Sequence, residues 1–73
     1  MSETQFLDVR WLEPPEPFER IVAALESLPD GDTLRVVIHR EPRPLFQWLS
    51  REGYSYRHSY NPEGYFEILI ARQ

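Results

Sequence analysis

The sequence predicts a two-layer α/β sandwich (an α+β fold) with the element order βαβαββ. Two observations predict it. Two strand-like runs are each followed by apolar residues at helical spacing, and the last two runs alternate strictly around a tight turn at 61–64. Because a strand–helix–strand unit crosses over right-handedly, both helices should lie on one face of a four-stranded mixed sheet. With 73 residues we expect a single domain over 1–73.

The first half of the chain supplies a strand, a helix and a second strand. Residues 5–9 are the first strand candidate, and residues 28–32 (LPDGD) stop the helix and turn the chain. The predicted apolar stripe of this helix consists of Phe18, Val22, Leu25 and Leu28, with Ile21 beside it. Residues 33–39 alternate, so Leu34, Val36 and Ile38 should point one way and Arg35, Val37 and His39 the other.

The second half supplies the other helix and a hairpin. Pro44 suits a first helical turn, and Gly53 suits the position just past a helix end. The residues that this helix should bury are Leu45, Phe46, Trp48 and Leu49. Strand 54–60 should carry Tyr54, Tyr56, His58 and Tyr60 on one face, and strand 65–71 should carry Phe66, Ile68 and Ile70 on its apolar face.

Composition excludes several classes of function. The chain has no cysteine, which excludes disulfides, zinc–thiolate sites and a thiol nucleophile. A net charge of −4 without a continuous basic stripe argues against nucleic acid. Two histidines would need carboxylates to complete a zinc site, and alternation alone does not bring His39 and His58 together. No catalytic constellation or glycine-rich phosphate loop is present. We therefore expect no metal, no cofactor and no enzyme activity, and the lack of a long apolar run favours a cytoplasmic protein that does not enter membranes.

The stretch LDVRWLEPPEP (7–17) resembles the opening of the TusA/SirA sulfur-carrier family, which reads Leu-Asp, a few residues, then Cys-Pro-x-Pro at a helix start. Leu7 and Asp8 match the Leu-Asp pair, 15–17 matches Pro-x-Pro, and Pro14 stands in the position of the sulfur-carrying cysteine. The resemblance implies the sheet order 1-2-4-3 with an antiparallel last strand. Persulfide relay by that cysteine is impossible here, because proline has no nucleophile.

The chain is more similar to a cysteine-less, TusA-like branch of unknown function. Its marks here are LDVR, PPEP, HREPRPL and the aromatic-rich closing hairpin. The association of that branch with hemerythrin-like and other metalloprotein domains implies a link to redox, sulfur or nitrogen-oxide metabolism.

A candidate binding edge follows from the predicted topology. The loops after the first two strands should share one sheet edge with both helix N-termini and with the turn at 60–65, and ligands of open α/β folds favour that edge. The candidate residues are Asp8, Arg10, Trp11, Glu13, Glu16, His39, Arg40 and Arg43. Asp8 interrupts an apolar strand, so we expect it to make a structural hydrogen bond or an ion pair with an arginine.

Arginines at the start of the second helix need an anionic partner, because the helix dipole is positive there. Two interpretations remain open. Glu13, Glu16 or Glu41 could pair with Arg40 and Arg43 and clamp the two loops together. Alternatively, Arg43, His39 and free backbone amides could hold an external phosphate, sulfate or carboxylate.

The sheet face without helices is a second candidate surface. Alternation places Phe6, Val37, Tyr65 and Leu69 there as an apolar patch rimmed by Arg35 and Glu67. Such a patch suits a protein contact or a weak homodimer. Our leading interpretation is a non-catalytic adaptor that binds a partner protein. The alternatives are a binder of small anions or metabolites, and a sulfur-relay accessory whose thiol comes from the partner.

Overall fold

The structure is a computed structural model, and it describes residues 3–72. Its elements are β1 (Thr4–Asp8), α1 (Glu16–Glu26), β2 (Thr33–Ile38), α2 (Arg43–Arg51), β3 (Tyr54–Asn61) and β4 (Tyr65–Arg72). The predicted element order is confirmed. Helix α1 begins before Phe18, because prolines at the N-cap and second helical position need no amide partner there. No helix within 3–72 combines the length and apolar character needed to cross a membrane.

The four strands form one mixed sheet in the order β1-β2-β4-β3, which confirms the predicted order. β1 and β2 are parallel, and β4 runs antiparallel to both of its neighbours. In the register, Phe6 lies opposite Arg35, and Val37 lies between Asp8 and Glu67. Both outer strands, β1 and β3, therefore pair on one side only.

The core lies between the helices and one face of the sheet. The buried residues that form it are Val9, Ile21, Leu25, Leu28, Leu34, Val36, Ile38, Leu45, Leu49, Ile68 and Ile70. The stripe of α1 is centred on Pro17, Ile21 and Leu25, whereas Val22 is only half-buried. The predicted burial of Leu25 and Leu28 is confirmed, but the prediction for Phe18 and Val22 was wrong by one position, because Pro17 and Ile21 face the core in their place.

An aromatic layer joins α2 to the edge strand β3. Phe46 stacks on Tyr56 with ring centroids 4.8 Å apart, and Trp48 stacks on Tyr54 at 5.7 Å. His58 also stacks on Phe46, at 4.8 Å. The alternation predicted for β3 is therefore confirmed, although Phe46 and Trp48 are half-buried and not part of the buried core.

We expect Leu25→Ala to lower the free energy of unfolding by about 2–5 kcal/mol, because its fully buried side chain would leave a cavity. The matched control is Leu69→Ala on the other face of the sheet, where the leucine is 39% exposed and the cost should be about 1 kcal/mol or less. Urea unfolding of both variants measures the difference. Equal costs would contradict the assignment of the core to the helix-bearing face.

Candidate functional site

Three parts of the chain meet at one edge of the sheet. The parallel strands β1 and β2 both end there, at Asp8 and Ile38, and each is followed by a loop that leads into a helix. The β3–β4 turn reaches the same edge, because Asn61 pairs with Tyr65 and Ile38 pairs with Phe66. The predicted convergence of the two helix starts and the turn is confirmed.

Both helices begin with the same local pattern, Pro-x-Pro. In α1 the N-cap is Pro15 and the second helical residue is Pro17; in α2 the equivalent residues are Pro42 and Pro44. Neither helix has a side-chain cap. The sequence-based prediction used the first motif and Pro44 but did not compare the two helix starts. The signal was the repeat of Pro-x-Pro, PEP at 15–17 and PRP at 42–44.

The two Pro-x-Pro motifs form the walls of one open groove of about 610 Å³, which we call the proline groove. Its floor is apolar and includes Ile21, Ile38 and Leu45. The residues that line its walls and rim are Leu12, Glu13, Pro14, Pro15, Pro17, Phe18, His39, Arg40, Glu41, Pro42 and Pro44. The site at this edge is thus mainly apolar, with its charges on the rim.

A second hollow continues the proline groove toward the β3–β4 turn. It shares Leu12, Glu13 and His39 with the groove and adds Arg10, Trp11, Glu63, Gly64 and Tyr65. Trp11 is 86% exposed, the highest value among the exposed large hydrophobic residues of the described chain. An indole so exposed beside an apolar groove is typical of a binding surface.

The charged residues of this edge pair locally and do not bridge the two loops. Arg43 Nε lies 2.9 Å from Glu41 Oε1 within its own loop, and Glu16 pairs with Arg20 one turn along α1, at 3.5 Å. Within residues 3–72, Glu13 and Arg40 make no ion pair. The predicted pairing of Arg43 with Glu41 is confirmed. The predicted clamp between the loops is wrong, because Arg43 and Glu16 pair with nearby residues of their own segments.

Asp8 is bound by Arg10. Its Oδ1 accepts hydrogen bonds from the Arg10 backbone amide and Nε, both at 3.0 Å, and its Oδ2 accepts one from Nη2 at 2.8 Å. The hydrogen bonds from the Arg10 side chain, and to a smaller extent that from its backbone amide, lower the pKa of Asp8 below its ordinary value of 3.8. The Arg10 guanidinium also lies over the Tyr65 ring, 4.8 Å from its centroid. Asp8 therefore has the structural role that the sequence predicted.

The open face, meaning the side of the sheet without helices, repeats this arrangement. Arg35 donates two hydrogen bonds to Glu67, at 3.1 and 3.0 Å, and its guanidinium lies 5.3 Å from the centroid of the Phe6 ring. The hydrogen bonds from Arg35 lower the pKa of Glu67 below its ordinary value of 4.5. Arg35 and Glu67 thus lie across this face and not only at its rim.

The predicted apolar patch on the open face needs correction. Phe6 and Leu69 are 58% and 39% exposed, but Val37 is only 3% exposed. Val37 lies between the two paired carboxylates, Asp8 and Glu67, and their arginines extend over the neighbouring aromatic rings. A charged layer therefore divides this surface, and Val37 contributes no contact area.

A family described as "Uncharacterized conserved protein (DUF2249)" matches residues 6–72, which is nearly the whole chain. The chain belongs to the DUF2249 family. No curated protein and no solved structure gives a match. The match to the DUF2249 family spans both Pro-x-Pro motifs and both carboxylate–arginine–aromatic units.

Metal ligands are not clustered in the described part of this DUF2249 domain. Among residues 3–72, no three His, Cys, Asp or Glu side chains are grouped closely enough to hold a metal ion. His39 lies at the proline groove, while His58 stacks on Phe46 of α2. The two histidines therefore lie on different surfaces.

The helix N-termini offer few amides to an anion. Prolines remove the donor at the N-cap and at the second residue of each helix. The first-residue amides are already used, since Glu16 N donates to Glu13 O at 2.9 Å and Arg43 N donates to Glu41 O at 3.1 Å. Each first turn therefore offers at most the amide of its third residue, whereas anion sites at helix starts rely on several.

We expect Asp8→Asn to reduce the loss of stability on acidification. Because the pKa of Asp8 is lowered in the fold, its contribution is present above the ordinary value and lost as pH falls through the folded value. Melting temperatures measured from about pH 5 to about pH 2 should fall less steeply in Asp8→Asn than in the wild type. Arg10→Gln should flatten the profile only in part, since the backbone amide bond to Asp8 remains. If both variants lose melting temperature on acidification as steeply as the wild type, the ion pair of Asp8 with Arg10 does not contribute to stability.

Phosphate at about 10 mM should leave the melting temperature within about 1 °C of its value in chloride of equal ionic strength. The reason is the shortage of free amides at both helix starts. A phosphate site whose Kd is about a hundredfold below the phosphate concentration would stabilise the fold by about 2.7 kcal/mol. Such a site would clearly raise the melting temperature. A rise that disappears in Arg43→Ala would support the anion-binding alternative instead.

Proposed function

We propose that this DUF2249 domain is a non-catalytic, cytosolic binding module that recognises a partner protein through the proline groove. The observation that carries the proposal is the pairing of two Pro-x-Pro helix starts as walls of one apolar groove beside an 86% exposed tryptophan. Trp11 is the proposed anchor, and the rim charges orient the partner.

The chemistry of the groove favours a protein ligand over a small anion. Its floor consists of aliphatic side chains, and its walls carry prolines that lack amide donors. A small anion would gain little from such a surface, whereas apolar side chains of a protein would bury area on it. Proline walls are also rigid, so binding immobilises few rotatable groups.

Trp11 supplies the largest single contribution available at this edge. A tryptophan buries about 150–250 Å² when it is covered, which corresponds to about 4–6 kcal/mol of gross apolar stabilisation at 25 cal/mol/Å². The entropy lost on association offsets a substantial part of that. Exposed aromatic anchors of this kind account for most of the affinity in many protein interfaces.

The resemblance to the TusA/SirA family is part of this proposal. It is supported by the βαβαββ order, the sheet order β1-β2-β4-β3, the Leu7-Asp8 pair and the Pro-x-Pro start of α1. Pro14, in the position of the family's cysteine, lines the proline groove. In this interpretation an apolar contact replaces sulfur chemistry at the same place. A role in sulfur relay would then require a thiol from the partner.

We expect Trp11→Ala to weaken partner binding by about 2 kcal/mol or more, roughly thirtyfold in Kd, with little change in melting temperature. Phe6→Ala is the matched control, since Phe6 is also an exposed aromatic residue but lies on the open face. Photocrosslinking from position 63, which lines the hollow beside Trp11, and from position 6 identifies candidate partners without replacing the anchor. Each purified candidate is then titrated calorimetrically against the wild type and both variants.

The two variants separate the two candidate surfaces. Loss of affinity in Trp11→Ala with retention in Phe6→Ala supports the proline groove. The reverse pattern, or partners that crosslink from position 6 and not from position 63, would contradict the proposal and favour the open face.

A further inference from the structure

The walls of the proline groove offer few backbone amides to whatever binds between them. Five of the lining residues are prolines, which have no amide hydrogen: Pro14, Pro15, Pro17, Pro42 and Pro44. The amides of Glu16 and Arg43 donate to carbonyl oxygens of their own loops. A buried carbonyl group costs free energy unless it accepts a hydrogen bond. An occupant of the groove must therefore satisfy its buried backbone carbonyls by itself.

An α-helix meets this requirement, because its interior carbonyls accept hydrogen bonds from the same segment. An added β-strand does not, since it pairs with a strand edge, and within residues 3–72 no residue of the outer strands β1 and β3 lines the groove. A polyproline II peptide has no internal hydrogen bonds and docks on aromatic side chains. Phe18 is the one aromatic residue among the described residues that line the groove. The groove is thus best suited to the apolar face of an amphipathic helix.

The charges at the rim differ between the two walls. Glu13 lies in the loop that leads into α1, and Arg40 lies in the loop that leads into α2. Both are exposed, and neither forms an ion pair in the part of the chain that the structure describes. Glu41, the other carboxylate of the rim, is paired with Arg43, and His39 adds no negative charge to that wall. One wall thus presents a negative charge to the occupant and the other a positive charge.

From these observations we infer that the proline groove binds an amphipathic α-helix of the partner protein, with a basic residue on the flank toward Glu13 and an acidic residue on the flank toward Arg40. The inference rests on the proposed function and specifies the segment of the partner that is recognised. Apolar residues at positions i, i+4 and i+7 of that helix contact the floor of the groove. The rim charges fix the direction of a given helix, because reversing it places like charges together.

Selection from displayed peptide libraries on the immobilised chain tests the inference. One library is helical, with fixed apolar residues at i, i+4 and i+7 and randomised residues on both flanks. Two matched libraries carry the same apolar residues in an alternating strand pattern and in a Pro-x-x-Pro pattern. The wild type should enrich the helical library, and the enriched helices should carry one basic and one acidic flank.

Single charge reversals should change the selected flanks in opposite senses. Glu13→Arg makes both walls positive and should select helices with two acidic flanks, whereas Arg40→Glu should select helices with two basic flanks. The controls with the same change of net charge are Glu26→Arg, at the far end of α1, and Arg57→Glu, on β3. Both residues are exposed and lie outside the groove, so both controls should select the wild-type pattern. Circular dichroism shows that each variant is folded.

Affinities of synthetic peptides separate the contribution of charge from that of apolar contact. By fluorescence anisotropy, the wild type should bind a helix with one basic and one acidic flank about fivefold more tightly than one with two like flanks. This preference should disappear in about 1 M salt, because exposed charges are screened. Trp11→Ala should weaken all of the peptides by a similar factor and retain their order, since tryptophan carries no charge.

Several results would overturn the inference. These are no enrichment of the helical library by the wild type, and stronger enrichment of the strand or Pro-x-x-Pro library. The same flank charges in Glu13→Arg and in the wild type would also overturn it, as would an equal shift in the Glu26→Arg control. If the wild type instead sediments as a dimer that the peptides cannot dissociate, a second copy and not a partner helix occupies the groove.

Failure of the inference is distinguishable from failure of the proposed function. If the affinity of a crosslinked partner depends on Trp11 but its bound segment is not helical by nuclear magnetic resonance, the proposed function stands and the inference fails. Conversely, the chain could select helices with the expected flanks while the affinity of its partners is unaffected by Trp11→Ala. The preference of the groove for helices would then stand and the proposed function would fail.

Discussion

The parallel pairing of β1 with β2 is the constraint on which the rest of this molecule depends. Parallel strands require a crossover, and its right-handed sense places α1 on one side of the sheet. Because β3 also runs parallel to β2, the second crossover places α2 on the same side with its N-terminus at the same edge. Only for that reason do two Pro-x-Pro motifs, distant in sequence, face each other across an apolar groove. An antiparallel first pair would have separated them by the length of the sheet.

The open face is covered by side chains in place of a third layer. Asp8 with Arg10 and Tyr65, and Glu67 with Arg35 and Phe6, form equivalent units in which a carboxylate binds an arginine that lies over an aromatic ring. Such units shield apolar area without a further helix and leave the surface charged. Because the open face is charged whereas the floor of the proline groove is apolar, the groove is the stronger candidate for docking.

The element order could be predicted from the sequence because it depends on local patterns: alternation in the strands, helical spacing, and turn residues such as Gly53. The sheet order was predicted only through the resemblance to the TusA/SirA family. The side-chain pairing could not, because it depends on which long side chains reach one another. Arg43 was expected to clamp two loops but finds Glu41 two residues away, and Val37 was expected at the surface but lies under charged neighbours. Periodicity assigns a residue to a face without showing what covers it.

The helix starts at the proline groove are better suited to apolar contacts than to anion binding. Prolines at the N-cap and second position remove the amides that would hold an anion, while their rings add rigid apolar walls. The same prolines therefore disfavour an anionic ligand and favour an apolar one. Glu13 and Arg40 at the rim make no ion pairs within residues 3–72, and in the proposed binding mode their charges orient the partner. That proposal assigns affinity and orientation to different residues, so mutation can separate them.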